Sequence, residues 1–376
     1  MNRGNARHGD ARRLQIVVLG AGYAGLMAAL RLAPHHDVTL VDPSDRFTER
    51  VRLHELAAAG TDVTRPLSGF LAGTSVTHSA ARAVGIDTAA RAVRTDDGRT
   101  LPYDRLVYAL GSRTGTEGGV LGAGDRAYTV ETGAELRKRL LDGPGSVAVV
   151  GGGLTGIELA GEIAESAPGW RVRLLTAGEV GTGLSEKGRA HVRAGLGGLG
   201  VRVEEGRRVA GADDVDADVV VWAAAMTANS ALAASAGLAL DPTGRIRVDD
   251  ALRSVSHPEI SVAGDAAAAG SPLAGPLRMG CATALPTGSH VASVLLAEAR
   301  GEAPRPLGFR YIIQCLSLGR RDGLIQFVRA DDSPRERTLT GRAAAFAKER
   351  VVRQTVANLR LAANRPSLVP LLPAMS

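Results

Sequence analysis

Gln15-Ile-Val-Val-Leu-Gly-Ala-Gly-Tyr-Ala-Gly25 decides the fold. The first five residues are a short apolar run of the kind that forms a buried parallel strand. Glycines at 20, 22 and 25 follow at once, and Leu26, Ala29, Leu30 and Ala33 then recur at helical spacing. Strand, glycine turn and helix in that order are what a dinucleotide pyrophosphate needs. Gly20 permits the tight turn, Gly22 lets the backbone approach the phosphates, and Gly25 lets the helix lie close on the strand. The helix start, Tyr23-Ala24, adds free N–H groups and a partial positive charge. A second strand, Val38-Thr-Leu-Val41, ends at Asp42, about twenty residues on and placed to accept ribose hydroxyl hydrogen bonds.

The same construction returns further along. Ser146-Val-Ala-Val-Val150 leads into Gly151-Gly-Gly153-Leu154-Thr155-Gly156, a helical stretch follows, and Val172-Arg-Leu-Leu175 reads as the next strand. The chain therefore holds two nucleotides. Thr176 stands where Asp42 stood, so this site has no carboxylate to select against a 2′-phosphate. Glu179 lies three residues on, either as a substitute or as an exposed turn residue. Weak discrimination between NADH and NADPH is expected.

With both turns in hand, the sequence resembles the flavoproteins with two dinucleotide-binding domains, most closely the type II NADH dehydrogenase branch, over roughly residues 14–300. Four further segments carry the likeness. Tyr103-Asp-Arg-Leu-Val-Tyr-Ala-Leu-Gly111 is similar to the strand and turn beside FAD, with Leu110 where threonine is usual. Val219-Val-Val-Trp-Ala-Ala-Ala225 resembles its counterpart in the second domain, with Ala225 where glycine is expected. Ile260-Ser-Val-Ala-Gly-Asp265 matches a late motif whose aspartate binds the ribityl chain. Glu158 falls where the family has a glutamate near the nicotinamide.

The resemblance implies an α/β fold of two Rossmann-like dinucleotide-binding domains, with the FAD domain split around an inserted NAD(P) domain. Its parts would be 14–112 and 235–300 for FAD, 113–234 for NAD(P), and a small C-terminal domain over 301–376. FAD would contact Gly20, Ala21, Gly22, Tyr23, Ala24, Gly25, Asp42, Arg50, Arg52, Ala83, Ala109, Gly111, Gly264, Asp265 and Ala282. NADH or NADPH would contact Gly151, Gly153, Leu154, Thr155, Gly156, Thr176 and Ala225. In such enzymes the flavin ring performs the redox step and the protein aligns it with the nicotinamide. The candidate catalytic groups are therefore Glu158, as an orienting group, and His54 in Arg50-Val-Arg-Leu-His54, able to protonate a reduced acceptor.

Charge and composition narrow the rest. A net charge of +6 is spread along the chain, so it reads as solvated surface and cofactor binding rather than a nucleic-acid interface. Met1 to Arg13 is basic and polar without an apolar core, which argues against a secretory signal and for a frayed tail in a cytoplasmic protein. No CxxC occurs, and Cys281 and Cys315 are far apart, so both read as small buried residues and no metal is expected. Arg342 to Leu361 has apolar residues at helical spacing (Ala345, Phe346, Val352, Val356, Leu359) with arginines between. It reads as a helix packed on its own domain or seated on a membrane surface. The expected partner is a small electron acceptor, a quinone or a metabolite. A flavin-dependent tailoring enzyme and a ferredoxin-type reductase stand as alternatives, and the oligomeric state is left open, a homodimer included.

Overall fold

The computed structural model describes residues 13–122 and 124–371; the frayed-tail expectation falls almost wholly outside them. Two five-stranded parallel sheets organise the chain, each built around one glycine turn. In the first, the order is Ile260–Val262, Arg105–Tyr108, Gln15–Leu19, Asp37–Val41, Thr77–Ser79. In the second it is Ala127–Thr129, Val219–Trp222, Ser146–Val150, Arg171–Leu175, Arg202–Glu204. Both place the strand that enters the glycine turn at the centre, between the acid-position strand and the returning strand. They differ at one edge, which the first sheet fills with a strand from late in the chain and the second with a strand that precedes its turn.

Central strands covered on both faces must be apolar throughout. Val17, Val18 and Leu19 are at most 2% exposed, and Val147, Ala148 and Val149 are fully buried. The chain leaves the first sheet through Ser112–Thr114 and returns through Met226–Ala228, and these two segments pair antiparallel as a two-stranded ribbon between the sheets. Helix Cys281–Ala299 crosses back over helix Tyr23–Leu32. Gly288 makes that crossing close, because a Cβ there would run into the Ala24 backbone.

Residues 313–340 form a three-stranded antiparallel sheet, Ile313–Leu318, Asp322–Val328 and Pro334–Thr340, followed by the helix Gly341–Asn364. That helix does not bury every apolar residue its spacing suggested. Ala344, Lys348, Val352, Val356, Leu359 and Ala362 are covered, whereas Phe346 is 70% exposed. Steps of four carry the seam from Ala344 to Val356 and put a lysine in line with alanine and valine. Among the described residues no helix is long and apolar enough to cross a membrane.

Candidate functional site

The two glycine turns have matching geometry. Gly20 has φ +96° and Gly151 has φ +128°, both in the left-handed region, and each faces a returning strand closely. A Cβ on Gly20 would lie 2.6 Å from the Ala109 carbonyl oxygen, and one on Gly151 would lie 2.8 Å from the Ala223 backbone. A Cβ on Gly25 would strike the Gly20 oxygen, and one on Gly156 the Gly151 oxygen. The first and third glycines are thus explained by the protein's own packing. The middle ones are not: a Cβ on Gly22 or Gly153 would have no protein atom within 4 Å. Both begin a helix, and neither helix start has a side-chain cap. Uncapped N–H groups beside open space at a residue without a Cβ make a cradle for a phosphate pair. The residues present therefore fit two dinucleotides.

The acids near these turns are oriented by the backbone. Asp42 Oδ2 accepts from Ala21 N at 2.7 Å and Oδ1 from Ser44 N at 2.9 Å, which fixes the carboxylate at the edge of the first turn. Asp265 Oδ2 accepts from the Ser112 hydroxyl and Oδ1 from Gly280 N, each at 2.7 Å. It thereby joins the ribbon to the start of helix Cys281–Ala299, whose first turn carries Ala282. Gly264 has φ +71° and gives that corner its left-handed turn. Gly111 at φ +63° and Ala225 at φ +58° occupy corresponding positions after the returning strands. The alanine found in place of glycine therefore adopts the glycine conformation. Ala83 opens a small antiparallel sheet, Ala83–Asp87, Ala92–Thr95 and Thr100–Pro102.

Arg50 and Arg52 are committed to carboxylates. Arg50 pairs with Glu131 at 3.0 Å, while Arg52 meets Glu49 at 3.3 Å and Glu55 and Glu349 at 2.8 Å each. Arg52 thus fastens the loop before helix Leu53–Ala59 to the C-terminal helix.

Helix Leu53–Ala59 and strand Ile313–Leu318 both pack on helix Leu154–Ser166. This brings His54 and Glu158 together, as candidates drawn from opposite ends of the reading. His54 Nδ1 is 3.8 Å from Glu158 Oε2. Glu158 is no solvent-facing helix carboxylate, since its side chain is 12% exposed. Its Oε1 accepts from Ser317 N at 3.0 Å, from the Ser317 hydroxyl at 3.3 Å and from Lys348 Nζ, which also reaches the Ser317 hydroxyl at 2.9 Å. Burial alone would raise the Glu158 carboxyl, but Lys348, His54 and the Ser317 N–H outweigh it and hold it below the ordinary value. His54 moves the other way. Burial drives its imidazole down to about 4, against the opposing pull of Glu158, so it is neutral at pH 7.

Lys348 and Ser317 were not legible as site residues in sequence. They lie 190 and 159 positions from Glu158, and only tertiary packing brings them to it. A lysine on the apolar seam of a helix was the available signal, because a buried ammonium needs a partner. Cys315 shares a strand face with Ser317, and burial pushes its thiol up to about 12. Cys281 departs from expectation: its side chain is exposed rather than buried, although surrounding chain still raises its thiol. Among the described residues no group of three or more His, Cys, Asp or Glu is placed to hold a metal.

Comparison with known proteins adds the family. The model for pyridine nucleotide-disulphide oxidoreductases matches residues 14–288. An NADH dehydrogenase-like protein of Mycobacterium tuberculosis is 32% identical over 300 residues, 68% of this chain and 73% of that protein. The type II NADH:quinone oxidoreductase of Staphylococcus haemolyticus is 34% identical over 181 residues, 42% of this chain and 44% of that one. In fold, the structure of NDH2 from Plasmodium falciparum in complex with NADH superposes with a TM-score of 0.76 at 15% identity, covering 97% of this chain and 99% of that chain.

Proposed function

The chain belongs to the pyridine nucleotide-disulphide oxidoreductase family and is an FAD-dependent NAD(P)H oxidoreductase, and on that premise we propose that its electron acceptor is a quinone. FAD occupies the first glycine turn and the nicotinamide dinucleotide the second, in an FAD domain of 14–112 and 235–300 and an insert of 113–234. The observation that carries this reading is the pair of middle glycines, Gly22 and Gly153, each open where its neighbours are packed shut.

Bound FAD supplies hydride acceptance and onward electron transfer. The protein's own groups do the positioning. Asp42 waits at the edge of the first turn for ribose hydroxyls, and Asp265, fixed by Ser112 and Gly280, presents its remaining lone pairs to the ribityl hydroxyls. Glu158 stays anionic because Lys348 and Ser317 hold it, and so offers a fixed acceptor that orients the nicotinamide. His54, neutral and 3.8 Å from Glu158, is placed to act as a relay, one ring nitrogen giving its proton to the two-electron-reduced quinone while the other takes a replacement from the Lys348–Glu158 cluster.

An acceptor panel tests the proposal. After anaerobic bleaching of the flavin by NAD(P)H, a quinone should restore the yellow colour in preference to ferredoxin, oxygen or ferricyanide at matched concentration. Recovery with ferredoxin alone, or only with a specific metabolite, would replace the quinone by that acceptor.

A further inference from the structure

The missing carboxylate alone predicts weak discrimination between NADH and NADPH, but the adenosine end of the second turn differs from that of the first in a further way, which replaces that expectation with a preference. At the first turn, Ala21 N donates to Asp42. At the second, Gly152 stands in the place of Ala21, and a Cβ on it would lie 2.6 Å from Thr176 Oγ1. A neutral hydroxyl therefore borders the turn where a carboxylate would contact ribose. Thr176 N donates to Glu204 O at 3.0 Å, and Arg207 N donates to Thr176 O at 2.9 Å. Arg207 is thus fixed beside Thr176 at the carboxyl ends of the parallel strands, which is where open α/β sheets receive ligands.

Every carboxylate on this rim is already held by arginine. Glu204 pairs with Arg207, with Arg173 at 3.6 Å and with Arg202 at 3.5 Å. Glu205 accepts from Arg193 at 2.9 Å and from Val180 N at 2.8 Å. Glu179, the sequence's candidate substitute for the missing acid, is drawn to Arg193 at 3.3 Å and Arg189 at 3.7 Å. Arg208 is exposed and has no ion-pair partner among the described residues. The rim has more arginine than carboxylate, and none of its acids is free to repel a phosphate.

We propose that the second site takes NADPH in preference to NADH, with Arg207, aided by Arg208, binding the 2′-phosphate beside Thr176. This rests on the reading of that turn as the nicotinamide dinucleotide site. With its main chain tied to Thr176 O and its guanidinium paired with Glu204, Arg207 keeps further N–H groups beside Thr176, the kind of donor that favours phosphate oxygens. NADH would meet the same arginines with only hydroxyls.

The test combines kinetics with a probe that needs no turnover. Wild-type kcat/KM with an artificial acceptor should favour NADPH by more than about tenfold, or about 1.4 kcal/mol. Adenosine 2′,5′-bisphosphate should inhibit competitively at concentrations at least about tenfold lower than AMP does, by the same conversion. Arg207→Ala, a change at a partly exposed side chain, should lower kcat/KM for NADPH by at least about tenfold and erase both preferences. Thr176→Glu should carry the ratio to NADH. Equal use of the two donors, an NADH preference, or equal inhibition by the two adenosine nucleotides would overturn the inference and leave the oxidoreductase reading intact. Flavin reduction by neither donor would overturn that reading, and the inference with it.

Discussion

Lys348→Met keeps the length and apolar stem of the side chain and removes the ammonium from Glu158. In the native protein Lys348 is 8% exposed and lies on the buried seam of the C-terminal helix, so the methionine stem fits the same track. What changes is the carboxylate, left with Ser317 N and Oγ and a neutral imidazole 3.8 Å away. Removing one partner of a buried pair costs about 3–5 kcal/mol, and the two retained Ser317 donors place this case near about 3 kcal/mol at neutral pH. With an unfolding entropy of about 0.8 kcal/mol/K for a chain of this length, the loss is about 4 °C in Tm. The sign with pH follows from linkage. Wild-type Glu158 titrates below its ordinary value, so its stabilisation is present above the unfolded pKa and is lost as pH falls through the folded one. Without Lys348 the burial effect, which raises the pKa, prevails, so the variant loses stability as pH rises from the unfolded pKa to the raised folded one and stays level above it. The deficit of the variant should therefore widen from about pH 5 to about pH 8. Thermal unfolding of the FAD-loaded protein, followed by circular dichroism at both pH values, reads it directly. A deficit that is constant with pH, or that shrinks as pH rises, would refute the assignment of Lys348 as the counter-charge of Glu158.

Three further outcomes are expected. His54 is buried and neutral, so the unfolded state binds a proton below about 6.5 that the folded state refuses until about 4. Stability is lost across that window by up to about 3 kcal/mol, and His54→Gln should flatten the acid limb of a Tm–pH curve; an unchanged limb would remove His54 as its source. The Cys281→Ser, Cys315→Ser double variant should keep NAD(P)H-driven reduction of artificial acceptors within a few-fold, about 1 kcal/mol, whereas a loss of several orders of magnitude with flavin still bound would reveal thiol chemistry. Ala225→Gly should raise stability by up to about 1 kcal/mol, because relief of the left-handed alanine exceeds the added chain entropy, and a lower Tm would contradict that.

The parts of the fold that were legible in sequence are those whose cause is local. A glycine turn needs its residues within about six positions, and an apolar strand must precede it, so both strand–turn–helix units could be read from the chain alone. The doubling of Gly111 by Ala225 could be read as well, because the two segments share a motif even though only the conformation shows that alanine takes the same φ. The cluster at Glu158 could not. Its Lys348 sits in a helix where the alternation of arginine and apolar residues looks the same for a membrane-facing helix and a packed one. The sheet of residues 313–340 and helix Tyr23–Leu32 decide which face is covered, and Phe346 falls on the open face and Lys348 on the closed one. Cys281 was misread for a related reason: small size predicts burial on average, but this residue opens helix Cys281–Ala299 at an end that other elements leave uncovered.

The most direct test of two separate nucleotide sites is a pair of glycine variants examined by colour. Gly22→Val should yield protein without FAD, because a branched side chain enters the open space at the first turn. Gly153→Val should keep its yellow FAD and fail to bleach with NADH or NADPH, while chemical reduction by dithionite still bleaches it. A Gly22→Val protein that retains its full complement of FAD, or a Gly153→Val protein that bleaches with NAD(P)H as fast as wild type, would contradict the assignment of FAD to the first turn and the hydride donor to the second.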